Sequence, residues 1–272
     1  MTSFGERFAA AIADRGGLCV GIDPHAPLLA AWGLPDDASG ARDFGLRVVE
    51  AAAGRVGIVK PQNAFFERHG AAGYAALEEV LAAAREAGLL VISDVKRGDI
   101  GSTVDAYGEA WLTPGSTLEA DAMTAVAYQG VGSLAGVIER ALTHDKGVFV
   151  LAATSNPEAA AVQTARVDGA SVAARMVADV RAADPGDGMR SVGVVVGGTV
   201  SLADYAIAAD DLAGVPILAP GFGAQGARVG DIPELFGALA PQVVANVSRE
   251  ILAAGPDGLE AAIDAHLAEL RG

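Results

Sequence analysis

Short apolar runs rich in valine, isoleucine and leucine recur along the chain, separated by alanine-rich stretches with helical spacing. The runs that predict strands are 18–23, 56–61, 89–95, 118–124, 147–154, 192–197, 215–220 and 242–248. The stretches that predict helices are 43–54, 71–87, 101–112, 131–143, 168–183, 201–210, 231–239 and 257–270, with one more, 3–14, ahead of the first strand. The strand runs are almost continuously apolar instead of alternating, which marks parallel strands buried on both faces. Strands alternating with helices in this way over 272 residues fit an α/β fold of the (β/α)8 TIM-barrel type. A doubly wound open sheet is the competing arrangement. Its G-x-G-x-x-G signal is missing after the first strand, where "GIDPHAP" stands instead. The expected organisation is therefore one barrel domain over residues 1–272, with an N-terminal helix and an inserted loop at 24–42. A second exposed loop is expected at 184–190, "DPGDGMR".

Charge narrows the partners. The chain carries 34 Asp and Glu against 19 Lys and Arg, a formal net charge of −15. A surface of that sign repels phosphate backbones and anionic membranes, so neither nucleic acid nor membrane is an expected partner. A small anionic substrate is still compatible, because a few cations in one place suffice. The single cysteine, Cys19, lies in the apolar run "GLCVGI" and reads as a small core residue, with no disulfide possible within the chain. The first residues lack the long apolar segment of a secretory signal, and no run is long enough to span a bilayer. The expected location is cytoplasmic.

Active sites of (β/α)8 barrels lie at the C-terminal ends of the strands, so polar residues there carry the weight. Asp23 ends the first strand and Lys60 the second, with Gln62 and Asn63 just beyond. The third, "LLVISDVKRGDIGSTV", sets Asp94, Lys96 and Asp99 within six positions. Asp121 and Thr124 lie on the fourth, and Thr154, Ser155 and Asn156 follow the fifth. Asp94 and Lys96 are two apart, which puts them on one side of an extended strand. With Lys60 and Asp99 they alternate in sign and would sum to neutrality, as buried charges must. A structural ion pair capping the barrel is the plain alternative. After the seventh strand, "PGFGAQGA" offers backbone N–H groups to an anion, and Arg249 at the end of the eighth offers a planar fork. Those two loops are the fold's usual phosphate site. The four histidines lack metal spacing; His25 lies nearest the site, and His69, His144 and His266 read as surface residues. Ser155 has no evident triad partners, and Trp32 and Trp111 read as packing residues.

"SDVKRGDIGSTV" resembles the D-x-K-x-x-D-I-G-x-T pattern of the orotidine 5'-phosphate decarboxylase family. "GIDP", "VKPQNAFFE", "ATSNP", "PGFGAQG" and "VSRE" fall at the other expected strand ends, so the likeness covers nearly the whole chain and is greatest to the longer bacterial branch. The resemblance implies conversion of orotidine 5'-phosphate to UMP and CO2, the last step of de novo pyrimidine synthesis, with no metal or organic cofactor. By position it implies Lys96 as proton donor to the ring carbon that loses its carboxylate, and Asp94 against the substrate carboxylate. Lys60 and Asp99 would complete the charge network, and Asp23 and Lys60 would hold the ribose hydroxyls. Ser155 would bind the pyrimidine edge, and Gln225 and Arg249 the phosphate. It further implies a homodimer in which Asp99 and Thr103 act in trans. One departure is Ser248 before Arg249, where shorter family members often have glycine.

Two other functions fit parts of the pattern. A sugar-phosphate decarboxylase or aldolase of the same superfamily would hold Mg2+ through an acid at the second or third strand, where this chain's second strand ends in Lys60. A non-catalytic phosphate-ligand barrel would need the anion grip but not the Lys60, Asp94, Lys96 and Asp99 network.

Overall fold

The computed structural model describes residues 2–223 and 226–272. Eight parallel strands close into a barrel in sequential order. They are β1 (Leu18–Ile22), β2 (Ile58–Pro61), β3 (Leu90–Arg97), β4 (Ala122–Ala125), β5 (Gly147–Ala153), β6 (Val192–Val196), β7 (Ile217–Pro220) and β8 (Val243–Val247). β1 closes the ring against β8, with Cys19 opposite Asn246. Seven of the eight strands are buried at nearly every position, as their unbroken apolar runs require. β3 is the exception: its last two residues emerge at the barrel mouth.

Two apolar layers result. The larger fills the space between the barrel and the surrounding helices. The smaller lies inside the ring and includes Cys19, Ile58, Ile92, Phe149, Val195, Leu218 and Val244. Helix Phe4–Arg15 plugs the N-terminal end of the ring. Ser3 and Glu6 start it with a reciprocal capping box. Phe4 and Phe8 then reach Phe149, with ring centroids 6.0 and 5.7 Å apart. With the bottom filled by aromatic rings, the free end of the barrel is the C-terminal mouth.

Several elements depart from their predicted bounds. The helix expected at 43–54 runs Ala38–Ala52, because Asp37 caps it by accepting from the Gly40 N–H at 3.0 Å. The expected loop 24–42 thus holds a short helix, Ala26–Ala31, and the first turn of the next one. Residues 118–121 stay out of β4. Asp121 turns its carboxylate to the Val91 N–H and to Arg7, at 2.9 and 2.6 Å, which ends the run before pairing begins. The helix expected at 168–183 starts at Val172, behind a small hairpin over 166–171. Its two-residue turn is Asp168-Gly169, both at positive φ, as a type I′ hairpin turn demands. No α-helix forms over 201–210. Ala206 takes φ 53°, and the Tyr205 hydroxyl donates to the Thr154 carbonyl at 3.3 Å. Contacts with the end of β5 override the local helical preference there. The segment 231–239 splits into helix Ile232–Phe236 and a 3-10 stretch, Gly237–Gln242.

Candidate active site

The barrel mouth holds a cavity of about 410 Å3, a size suited to a small-molecule ligand. Asp23, Lys60, Asp94, Lys96, Ser155 and Arg249 all line it. Asp94 is its centre. Oδ2 accepts from Lys60 Nζ at 2.7 Å and from Gln62 Nε2 at 2.8 Å. Oδ1 accepts from Lys96 Nζ at 2.5 Å and from the Thr124 hydroxyl at 2.9 Å. Four donors occupy the roughly four lone-pair sites of a carboxylate, so the ionised form is fully satisfied. The side chains of Lys60 and Asp94 are only 5% and 8% exposed, while Lys96 is 45% exposed and reaches into the cavity.

Burial is the largest single influence on Asp94 and opposes its ionisation. The charges and hydrogen bonds of Lys60 and Lys96 together outweigh it and hold the carboxyl well below the usual carboxylate range. For Lys60, burial again opposes the charge, and the fields of Asp94 and Asp23 overcome it, raising its pKa. The two signs set a stability profile. Asp94's contribution is present above its ordinary value, about 4, and is lost as pH falls through the depressed native value. Lys60's is complete below about 10.4 and is lost as pH rises through the raised native value. The thermal midpoint is therefore expected to show no slope from this cluster between about pH 5 and 9. It should fall below about pH 4, with a shallower acid limb in Asp94→Asn.

The backbone at Lys96 does not follow strand geometry. Its φ is +46°, in the left-handed region that side chains rarely adopt, at a cost of roughly 1–3 kcal/mol. β3 and β4 slip register across it: Ser93 lies opposite Met123, yet Arg97 lies opposite Ala125. The expectation of simple alternation between Asp94 and Lys96 is thus corrected. The two side chains meet across a kink, not along a regular strand. Thr124 secures that kink, because its Oγ1 accepts the Lys96 N–H at 2.9 Å while its hydroxyl donates to Asp94.

Asp99 does not join the charge network of its own chain. Its Oδ1 accepts from the Ile100 N–H at 2.8 Å, and it is not among the cavity residues. Neutrality within one chain comes instead from Asp23, whose field acts on Lys60. Thr103 lies exposed on helix Gly101–Leu112, also outside the cavity. Gln225 lies outside the described residues. Arg249 opens the short helix after β8. The end of β7 contributes Pro220, and the loop after it Gly221 and Phe222, to the same wall. The loop packs so closely that a Cβ at Gly223 would lie 2.1 Å from Glu250 Oε2, and Gly223 itself has φ +73°. Glycine is required there on both counts.

Further residues complete the cavity. The strand-end polar residues Gln62, Thr124, Thr154, Asn156 and Ser248 line it, Leu151, Val195 and Leu218 give it an apolar floor, and Asn246 adds one more polar group; the last four lie outside the predicted set. Asn246 was hidden in the apolar run "VVANV"; one amide in a strand that otherwise faces the core was its only signal. Its Oδ1 is buried without a partner among the described residues, as is Asp23 Oδ1. Two unpartnered acceptors at a cavity wall call for donors such as hydroxyl groups. A Cβ on Gly21 would strike Ser248 Oγ at 1.8 Å, so glycine makes room for the serine between β1 and β8. His25 is not a lining residue and sits 5.7 Å from the Phe65 ring. His69, His144 and His266 are half-buried instead of surface residues. Trp32 and Trp111 are buried, Trp32 stacked on Phe44.

A closed barrel of this kind, with its charged and polar groups gathered at the C-terminal mouth, defines the class: a (β/α)8-barrel enzyme. A sequence model of the Orotidine 5'-phosphate decarboxylase / HUMPS family matches residues 16–264, and the chain belongs to that family. An orotidine 5'-phosphate decarboxylase of Salinispora arenicola is 52% identical over 280 residues, covering 100% of this chain and 98% of that protein. One of a Nocardioides species is 52% identical over 257 residues, covering 93% and 92%. Among solved structures, a Streptomyces avermitilis protein assigned the same activity superposes with TM-score 0.94 at 49% identity, covering 100% of this chain and 95% of that one. The Leishmania donovani OMP decarboxylase gives 0.79 at 31% identity, covering 99% and 98%. Among the described residues, no helix is long and apolar enough to cross a membrane.

Proposed function

We propose that the protein decarboxylates orotidine 5'-phosphate to UMP and CO2, the closing step of de novo pyrimidine synthesis, with Lys96 as proton donor. The observation that carries this reading is the Lys60–Asp94–Lys96 cluster, fixed at the cavity wall above an apolar floor. Decarboxylation breaks the bond between the ring carbon and its carboxylate and leaves the electron pair on a carbon that the ring barely stabilises. An ammonium already in place lowers the energy of that charge as it forms. Lys96 Nζ then gives one proton to the carbon, CO2 departs, and the neutral amine regains a proton from water.

Asp94 keeps the two ammoniums in position and, being ionised, faces the substrate carboxylate with like charge that is relieved as CO2 leaves. The apolar floor of Leu151, Val195 and Leu218 keeps water from screening these charges. Asp23 and Lys60 hold the ribose hydroxyls; the unpartnered Asp23 Oδ1 suits that role. Ser155 meets the pyrimidine edge, and Arg249 and Gln225 the phosphate. Asp99 and Thr103 serve the site of a second copy, a reading supported by their position outside the cavity of their own chain. The chemistry calls for no cofactor, and the acidic chain is read as a cytoplasmic homodimer.

Mixing the protein with orotidine 5'-phosphate and following the loss of its ultraviolet absorbance tests the reading. Turnover that survives EDTA is expected; an unchanged spectrum, or turnover abolished by EDTA and restored by Mg2+, contradicts it. Arg249→Ala is expected to raise KM about 10- to 100-fold, the worth of one or two charge-assisted hydrogen bonds, with a smaller effect on kcat. An unchanged KM would remove the phosphate role.

A further inference from the structure

Lys96 holds a backbone conformation that its own side chain does not favour, and the residue after it is tied down from two directions. Arg97 Nη1 donates to the Val95 carbonyl at 2.9 Å, which closes a ring of bonds across Lys96. Arg97 Nη2 makes an ion pair with Glu67 Oε1. The same Glu67 oxygen accepts from the Tyr74 hydroxyl at 2.6 Å, and the guanidinium carbon lies 5.8 Å from the Tyr107 ring centroid. Both partners of the ion pair are 27% exposed, so the pair is partly shielded from solvent and its geometry is fixed on three sides. On the other flank, the Arg97 carbonyl accepts from the Val126 N–H at 2.8 Å.

We propose that Arg97 is a positioning residue, braced by Glu67 and Tyr74, that holds the kinked backbone of Lys96 so that its ammonium points into the cavity. The inference rests on the role given to Lys96 above. Glu67 ends the helix Ala64–Glu67 that follows β2, seven positions after Lys60, and Arg97 is one position after Lys96. The brace therefore links the chain segments that carry both ammoniums, and fixes the distance between them. A left-handed residue persists only where its surroundings over-determine it. Here the surroundings are Thr124 and Val126 on the β4 side, and Glu67 and Tyr74 on the β2 side. None of the brace side chains lines the cavity, so none is expected to touch substrate.

The test is steady-state kinetics on Arg97→Ala, Glu67→Gln and Tyr74→Phe, with kcat normalised to UMP-binding sites counted by calorimetry. A displacement of the ammonium by about 1 Å predicts a kcat lower by about 10- to 100-fold in Arg97→Ala, with KM within about threefold of the parent. Adding Glu67→Gln to Arg97→Ala is expected to cost nothing further, because the two act along one path. If Arg97→Ala does not fold, Tyr74→Phe removes one hydroxyl and is expected to lower kcat several-fold at unchanged KM. A kcat within about twofold of the parent in the folded variants, or a loss confined to KM, overturns the proposal. Failure of the parent to turn over orotidine 5'-phosphate would instead overturn the reading on which it rests.

Discussion

Replacing Lys96 with alanine is expected to lower kcat by about 10^4-fold or more and leave the barrel folded. Two contributions vanish together. One is the general acid, worth about 10^2- to 10^4-fold, and the other is the preorganised charge at the reacting carbon, worth about 10^2- to 10^3-fold. The fold has little at stake. The Lys96 side chain is 45% exposed, and among the described residues its ammonium bonds to Asp94. Asp94 would keep Lys60, Gln62 and Thr124. The kink at Lys96 is held through its backbone N–H, which alanine retains. Circular dichroism and the thermal midpoint should match the parent while the ultraviolet assay shows almost no turnover. A variant with near-parental kcat would remove the mechanism.

Asp94→Asn is expected to damage both activity and stability. The amide cannot hold two ammoniums with two acceptor oxygens, and its NH2 would face Lys60 or Lys96. Lys60 is buried and would be left with the field of Asp23 as compensation. Breaking a buried pair from one side typically costs 3–5 kcal/mol; release of the Lys60 proton and the remaining Asp23 point to the low end, about 3 kcal/mol. For a chain of this size that corresponds to a thermal midpoint lower by roughly 6–12 °C. kcat should fall by about 10^3-fold or more, because the ammonium of Lys96 loses its anchor and the substrate carboxylate loses its opposing charge. Scanning calorimetry and the same assay check both numbers. A midpoint unchanged at pH 7 would show that the cluster is not held together as described.

The barrel was legible because its strands are continuous apolar runs bounded by charges, and charges at the end of a buried strand need a reason. That is why Asp23, Lys60, Asp94, Lys96 and Arg249 could be placed at the mouth from spacing alone. What spacing could not reveal falls into three kinds. Lys96 has no residue-type preference for positive φ, so its kink and the slip between β3 and β4 are set by tertiary contacts and leave no local mark. Asn246 is one polar position in a strand that otherwise reads as core, and only its register beside the cavity gives it meaning. The helix expected at 201–210 failed because Tyr205 is drawn to Thr154, a partner 51 positions away that no local window contains. The Asp168-Gly169 turn is a different case. Its dipeptide is a strong hairpin signal that helical spacing masked. Asp99 and Thr103 lie off the cavity of their own chain, a placement that the spacing around Lys96 did not reveal.

In the proposed mechanism a single ammonium at position 96 makes the reaction possible, and it can be removed and then restored chemically. Lys96→Cys is expected to be inactive, and treatment with 2-bromoethylamine then rebuilds an amine-bearing side chain at that position. The native Cys19 does not interfere, because it is fully buried and its thiol is pushed up to about 12, which leaves no reactive thiolate at neutral pH. Turnover of orotidine 5'-phosphate should rise by about 100-fold or more over the unmodified variant. Turnover at the parental rate before treatment, or none after mass spectrometry has shown one added aminoethyl group, would contradict the mechanism.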